Sequence, residues 1–92
     1  MYTLKVSYGD VDDEPEMAVT EILGTYGSWD EACEAARRKF DAIMELLGDN
    51  FEIRFGELEE SLDNYYVTYG YYDDEIGCVD NEHYYRVSVT ER

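Results

Sequence analysis

SWDEACEAARRKFDAIMELLG, residues Ser28 to Gly48, is the stretch whose reading decides the fold. The Ser28 hydroxyl can accept from the free N–H groups of a first helical turn. Glu31, three residues on, can reach back to the Ser28 N–H, which makes S-W-D-E a capping box. Asp30 and Glu31 also place negative charge at the positive end of a helix dipole. Ala32, Cys33, Ala36, Phe40, Ile43, Met44 and Leu47 recur at three- and four-residue spacing, so they form one apolar stripe that needs a surface to bury it. Gly48 follows the last of them and is expected to close the helix in the left-handed conformation.

The other side of this helix is charged. Glu34 to Arg38 and Arg37 to Asp41 are i,i+4 pairs, each contributing ~0.2–0.5 kcal/mol. Arg37, Arg38 and Lys39 hold three of the seven basic residues of the chain. They read either as a small anion patch or as a solvated face neutralised by neighbouring acids, and short charge runs usually pair locally.

Outward from the helix the apolar period changes from 3.6 to 2. Tyr2, Leu4, Val6 and Tyr8 alternate with polar residues as a half-buried strand. A loop from Gly9 to Glu16 follows, marked by Gly9 and Pro15. Met17 to Tyr26 is apolar and β-branched enough for a second strand, ended by Gly24 and Gly27. After the helix, Phe51, Ile53 and Phe55 alternate with Glu52 and Arg54, giving a third strand to about Gly56. Glu57 to Asp63 reads as an acidic turn. Tyr65, Val67, Tyr69 and Tyr71 lie on one face of a fourth strand, with Tyr66, Thr68 and Tyr72 on the other. Asp73 to Glu82 reads as a long acidic loop, and His83 to Thr90 as the last strand.

The order is ββαβββ. Strands on both sides of one long helix imply an α+β domain spanning residues 1–92: a mainly antiparallel, twisted sheet with the helix on one face, crossing over between strands two and three in the right-handed sense. Strand order is not legible in the sequence. If each hairpin reverses the chain and the helix returns it, the loops at 9–16, 48–50 and 73–82 share one end of the sheet. That end gathers Asp10, Asp12, Asp13, Glu14, Glu16, Asp49, Asp73, Asp74, Glu75, Asp80 and Glu82, with the 57–63 turn at the opposite end.

Charge is the outlying property. Twenty-three acids against seven bases give a formal net charge of −16 over 92 residues. Ten Tyr, three Phe and one Trp nonetheless argue for a packed globule rather than disorder. A chain of this length buries roughly 60–65% of its unfolded surface, enough for one modest core. Nucleic acid and anionic membrane would both repel such a surface, so direct binding to either is not expected. A basic protein, above all one that binds nucleic acid, is the natural complement.

The residues of enzyme chemistry are sparse. One His and two Cys, 45 residues apart with no CxxC, cannot build a zinc site at recognisable spacing. Cys33 falls on the helix stripe and Cys78 in a polar loop, so both read as reduced thiols of a cytoplasmic protein. His83 and Cys78 could form a nucleophile–base pair only if the fold joined them. No phosphate-binding or nucleophile-elbow motif occurs, and no cofactor is implied. The acidic loops supply hard oxygen ligands for weak Ca²⁺ binding, but neither follows the EF-hand pattern. No basic-then-apolar stretch suggests export, and no apolar run approaches membrane-spanning length.

In size and charge the chain resembles the small acidic proteins of phages and mobile elements that mimic DNA, the anti-CRISPR and anti-restriction type. That resemblance implies a non-enzymatic inhibitor that occupies the basic nucleic-acid-binding surface of a protein, in the cytoplasm of a bacterial host. It rests on composition over the whole chain and carries no motif, so it assigns no residue. The residues to which the charge argument points are Asp10, Asp12, Asp13, Glu14, Glu16, Asp73, Asp74, Glu75, Asp80 and Glu82, with Tyr66 and Tyr72 as aromatic anchors. A generic acidic protein-interaction domain without mimicry is the alternative. A local likeness points elsewhere: Leu23 to Ala36 is similar to the strand-to-helix passage of domains that read DNA from a basic three-stranded sheet. Here two strands precede the helix and the chain is acidic, so the likeness is one of strand–turn–cap chemistry.

Overall fold

A computed structural model describes all residues except 13, 15–17, 74, 76 and 92, and describes residues 73 and 78–82 by their backbone alone. The elements are β1 (Tyr2–Asp10), β2 (Val19–Tyr26), α1 (Trp29–Gly48), β3 (Ile53–Glu60), β4 (Asn64–Asp73) and β5 (Cys78–Glu91). They form one antiparallel sheet in the order β2-β1-β5-β4-β3, with α1 on one face. The fold is the expected α+β domain. The strand order adds that α1 joins the two edge strands, so the chain crosses the full width of the sheet between β2 and β3.

The helix begins as its sequence demands. Ser28 has extended backbone angles and its Oγ accepts from the Glu31 N–H at 3.2 Å. Ala32, Ala36, Phe40, Ile43 and Leu47 are buried, and Cys33 and Met44 are half-buried. They meet Leu4 and Val6 of β1, Tyr65 and Val67 of β4, and Val87 and Val89 of β5. Both i,i+4 ion pairs form, Arg38–Glu34 at 2.6 Å and Arg37–Asp41 at 4.0 Å. Two members of the basic run are therefore paired locally. The C-terminus differs from expectation. Gly48 stays in the helix and Asp49 is the cap, with right-handed angles (φ −70°, ψ −19°) and its N–H donating to the Glu45 and Leu47 carbonyls. Asn50 also donates to Leu47. These bonds satisfy the last turn without a left-handed residue.

Three strand boundaries also differ. β2 runs from Val19, and Met17, its expected start, lies outside the described residues. β3 runs on to Glu60, so Glu57, Glu59 and Glu60 are strand residues rather than a turn. A bulge between Phe55 and Leu58 permits this. Thr68 Oγ1 accepts from the Glu57 N–H at 2.7 Å, and it lies so close to Gly56 that a Cβ there would collide with it. Gly56 marks the bulge and not the strand end. The expected acidic loop at 73–82 is mostly strand as well: Asp73 pairs with Cys78 and Tyr71 with Asp80. Asp73 thus closes β4, while Asp80, Glu82 and Cys78 lie in β5. Gly77 takes the positive φ of 68° that the tight connection requires.

Alternation sorts the sheet into two faces. Toward α1 stand Tyr2, Leu4, Val6, Tyr8, Tyr65, Val67, Tyr69, Tyr85, Val87 and Val89. The uncovered face carries Lys5, Ser7, Arg54, Tyr66, Thr68, Tyr72, Tyr84 and Arg86. Thr3 is on this face too, between Thr25 and Thr90, yet it is buried and its Oγ1 has no hydrogen-bond partner among the described residues.

Candidate functional site

Antiparallel pairing fixes which connections meet. β1 and β4 end where β2, β3 and β5 begin. The β1–β2, α1–β3 and β4–β5 connections therefore share one end of the sheet, as the charge argument requires. The Tyr72 N–H donates to the Glu52 carbonyl at 2.9 Å, which ties the exit from the helix to the end of β4. Asp10, Asp12, Glu14, Asp49, Glu52 and Glu75 are exposed at this end. Asp73, Asp80 and Glu82 belong to the strands that reach it. Asp13, Glu16 and Asp74 lie outside the described residues. Ser61 to Asp63 turn at the opposite end, where Ser61 Oγ bonds to the Asn64 carbonyl at 2.9 Å.

The acidic end has an aromatic floor on the helix side of the sheet. Tyr8, Tyr85 and Tyr69 follow one another at 5.5 and 5.8 Å between centroids, and His83 lies 5.4 Å from Tyr69 and 6.1 Å from Tyr71. Asp10 stands opposite His83 in the β1–β5 register, and its carboxylate meets His83 Nδ1. Burial, then the neighbouring Tyr85 and Tyr71 hydroxyls, push the Tyr69 phenol up to about 12. Tyr69 is therefore a neutral donor throughout the physiological range.

The two tyrosines singled out from the sequence are separated. Tyr72 stands on the uncovered face at the acidic end, with the Arg54 guanidinium 5.4 Å from its ring. Tyr66 is six residues back along β4, roughly 20 Å at ~3.3 Å per residue. It lies 5.9 Å from Tyr84 and under Arg86, whose guanidinium is 4.5 Å from the ring. Burial raises the Tyr66 phenol and Arg86 partly offsets that. Each ring thus has an arginine beside it, but only Tyr72 stands at the acidic end.

The bases are largely engaged within the molecule. Arg37 and Arg38 pair with helix acids. Arg54 donates to the Phe51 and Ile53 carbonyls as well as covering Tyr72. Arg86 donates to Asn64 Oδ1 at 3.0 Å. The negative excess is thus left on the edges, the helix surface and one end. Sequence reasoning missed the Asp10–His83 pair and both Arg–Tyr stacks, because each joins strands whose neighbours were unknown. Alternation alone could have placed Arg86 and Tyr66 on a common face.

His83 and Cys78 do not make a nucleophile–base pair in the backbone geometry. They stand five positions apart along β5, roughly 16 Å. Cys33 is a free thiol whose pKa is raised by burial and by Asp63 and Asp30, which disfavours the thiolate. Among the described residues no three His, Cys, Asp or Glu side chains converge to hold a metal ion. No helix of the described residues is long and apolar enough to cross a membrane. No protein-family model, curated protein or solved structure matches the chain.

Proposed function

We propose that this domain is an acidic, non-enzymatic inhibitor that occupies the basic nucleic-acid-binding surface of a protein, acting as a DNA mimic of the anti-CRISPR or anti-restriction type. The observation that supports it is the convergence of three acidic connections at one end of the sheet. Like charges held together there oppose folding, and duplex DNA offers the same kind of target one negative charge per roughly 1.7 Å of axis. Asp10, Asp12, Glu14, Asp49 and Glu75 are the described carboxylates of that surface. Asp13, Glu16, Asp73, Asp74, Asp80 and Glu82 extend it in sequence, and Tyr72 adds an aromatic surface at its margin. Tyr66 lies roughly 20 Å from that end along β4, which favours a role in the sheet rather than in the acidic contact.

The experiment is competition. The protein is added to DNA- and RNA-binding proteins, CRISPR effectors and restriction enzymes among them, and nucleic-acid binding is measured at low and moderate salt. Salt-sensitive loss of nucleic-acid binding by one member supports mimicry and names the target. Absence of inhibition across the panel at low salt sinks mimicry and leaves the generic acidic interaction domain.

A further inference from the structure

α1 covers only part of the sheet it packs on. Five strands at ~4.8 Å spacing put the outer two roughly 19 Å apart, against a helix diameter of ~10 Å. α1 packs on β5, β1, β2 and β4. The helix-side residues of β3 past Ile53 are left open: Phe55 is 44% exposed and Leu58 52%, and Leu62 in the following turn is 74% exposed. Phe55 pairs with Tyr69 and Leu58 with Val67, so this row lies on the helix side of the sheet. Single exposed leucines are ordinary, but a row of large apolar side chains along one strand marks an interaction surface.

The uncovered strip runs at its Leu62 end into a groove beside α1. Near the β3–β4 turn it is a cleft of about 400 Å³ lined by Arg37 and Asp41 of α1, Glu60, Ser61 and Leu62 of the turn region, and Tyr65 as its floor. An adjoining 290 Å³ cleft shares Arg37, Leu62 and Tyr65 and continues along α1 to Cys33 and Trp29. Acidic side chains line it on both sides, Glu60 on β3 and Asp30, Glu34 and Asp41 on α1, with Glu34 and Asp41 also paired to Arg38 and Arg37. β3 has eight residues, which gives a strip of ~26 Å, the length of a helix of ~17 residues.

From this geometry we infer that the α1–β3 groove receives an amphipathic helix, apolar on one face and basic on the other, presented by a protein partner. Its apolar side chains lie on Phe55, Leu58 and Leu62, and its Lys or Arg side chains reach the carboxylates of both rims. A second copy of this chain fits poorly, since it would bring −16 against −16 and an acidic helix against acidic rims. These residues are separate from the acidic end, so the groove and the proposed mimicry can hold or fail independently.

The test uses the full chain and two synthetic peptides of ~18 residues. One has leucines at i, i+3, i+4 and i+7 with lysines and arginines elsewhere; the other has the same composition scattered around the helix. Fluorescence anisotropy at physiological salt should show the amphipathic peptide binding about tenfold tighter than the scattered one, with that advantage lost in Phe55→Ser and Leu58→Ser. Asp12→Asn with Glu14→Gln should change it by less than about twofold. Equal binding of both peptides, or wild-type affinity in the folded Ser variants, would overturn the inference. Should a Ser variant fail to fold by circular dichroism, NMR shift mapping on the wild-type protein decides. Shifts at Phe55, Leu58 and Leu62 support the groove, and shifts confined to the acidic end or the uncovered face refute it.

Discussion

Phe40 of α1 stacks on Tyr65 of β4, with ring centroids 5.2 Å apart and planes 28° from parallel. The pair is the main aromatic bridge between the helix and the sheet. Phe40 is fully buried, so its truncation leaves a cavity in a small core. Phe40→Ala should cost about 3–5 kcal/mol, enough to unfold much of a domain of this size. Phe51→Ala, at an 83% exposed position, should stay within about 0.5 kcal/mol of wild type. Urea titrations of the two variants check the contrast.

Gly56 and Thr68 are mutually fitted at the β3 bulge. A methyl group at position 56 meets the Thr68 hydroxyl, whose stiff side chain cannot move aside. Gly56→Ala should destabilise by about 1–3 kcal/mol. Thr68→Ala removes the acceptor of the Glu57 N–H and should cost about 1 kcal/mol. In a double-mutant cycle the Gly56→Ala cost should shrink once Thr68 is alanine. Strict additivity would show that the bulge is not held by this contact.

Thr3 Oγ1 is buried without a hydrogen-bond partner among the described residues. Valine has the same shape and nothing to leave unpaired, so Thr3→Val should stabilise by about 1 kcal/mol. A lower melting temperature for the valine variant would show that the hydroxyl is satisfied in solution.

The phenol of Tyr69 is pushed up to about 12, chiefly by burial. For an acid whose folded pKa lies above its unfolded value, the stabilising contribution is fully present below the unfolded value near 10. It falls as pH rises from there through about 12. A tyrosinate absorbance titration should therefore show a phenol titrating near 12 that vanishes in Tyr69→Phe. The Phe variant should also lose less stability across that alkaline range.

Asp49 caps α1 with a negative charge at the negative end of the helix dipole, and the last turn holds no base. Asp49→Lys should raise stability by about 0.3–1 kcal/mol. If the acidic end contacts a basic partner, the same change should weaken that binding and flatten its salt dependence. Unchanged affinity, measured on the target found by competition, would remove Asp49 from the contact. Added salt should raise the melting temperature of the wild type, since it screens the repulsion among the gathered carboxylates.

The sequence alone determined the local elements, because their signals are local. The Ser28 cap, the apolar stripe from Ala32 to Leu47 and the two-residue alternation of β1, β4 and β5 each follow from neighbours within a few residues. The sharing of one end by three acidic connections also follows, since it needs only strand direction and element order. Local signals are ambiguous at two glycines. Gly56 reads as a strand end but is a bulge beside Thr68, and Gly48 reads as a cap but is the last helical residue before Asp49. Tertiary structure alone decided what depends on strand order. Asp10 meets His83 across 73 residues of chain, Arg54 and Arg86 cover Tyr72 and Tyr66, and Phe55 and Leu58 stay exposed because β3 lies at an edge beyond the reach of one helix. Those relationships are set by which strands hydrogen-bond side by side. That choice depends on packing one helix stripe against the whole sheet, and no window of sequence contains it.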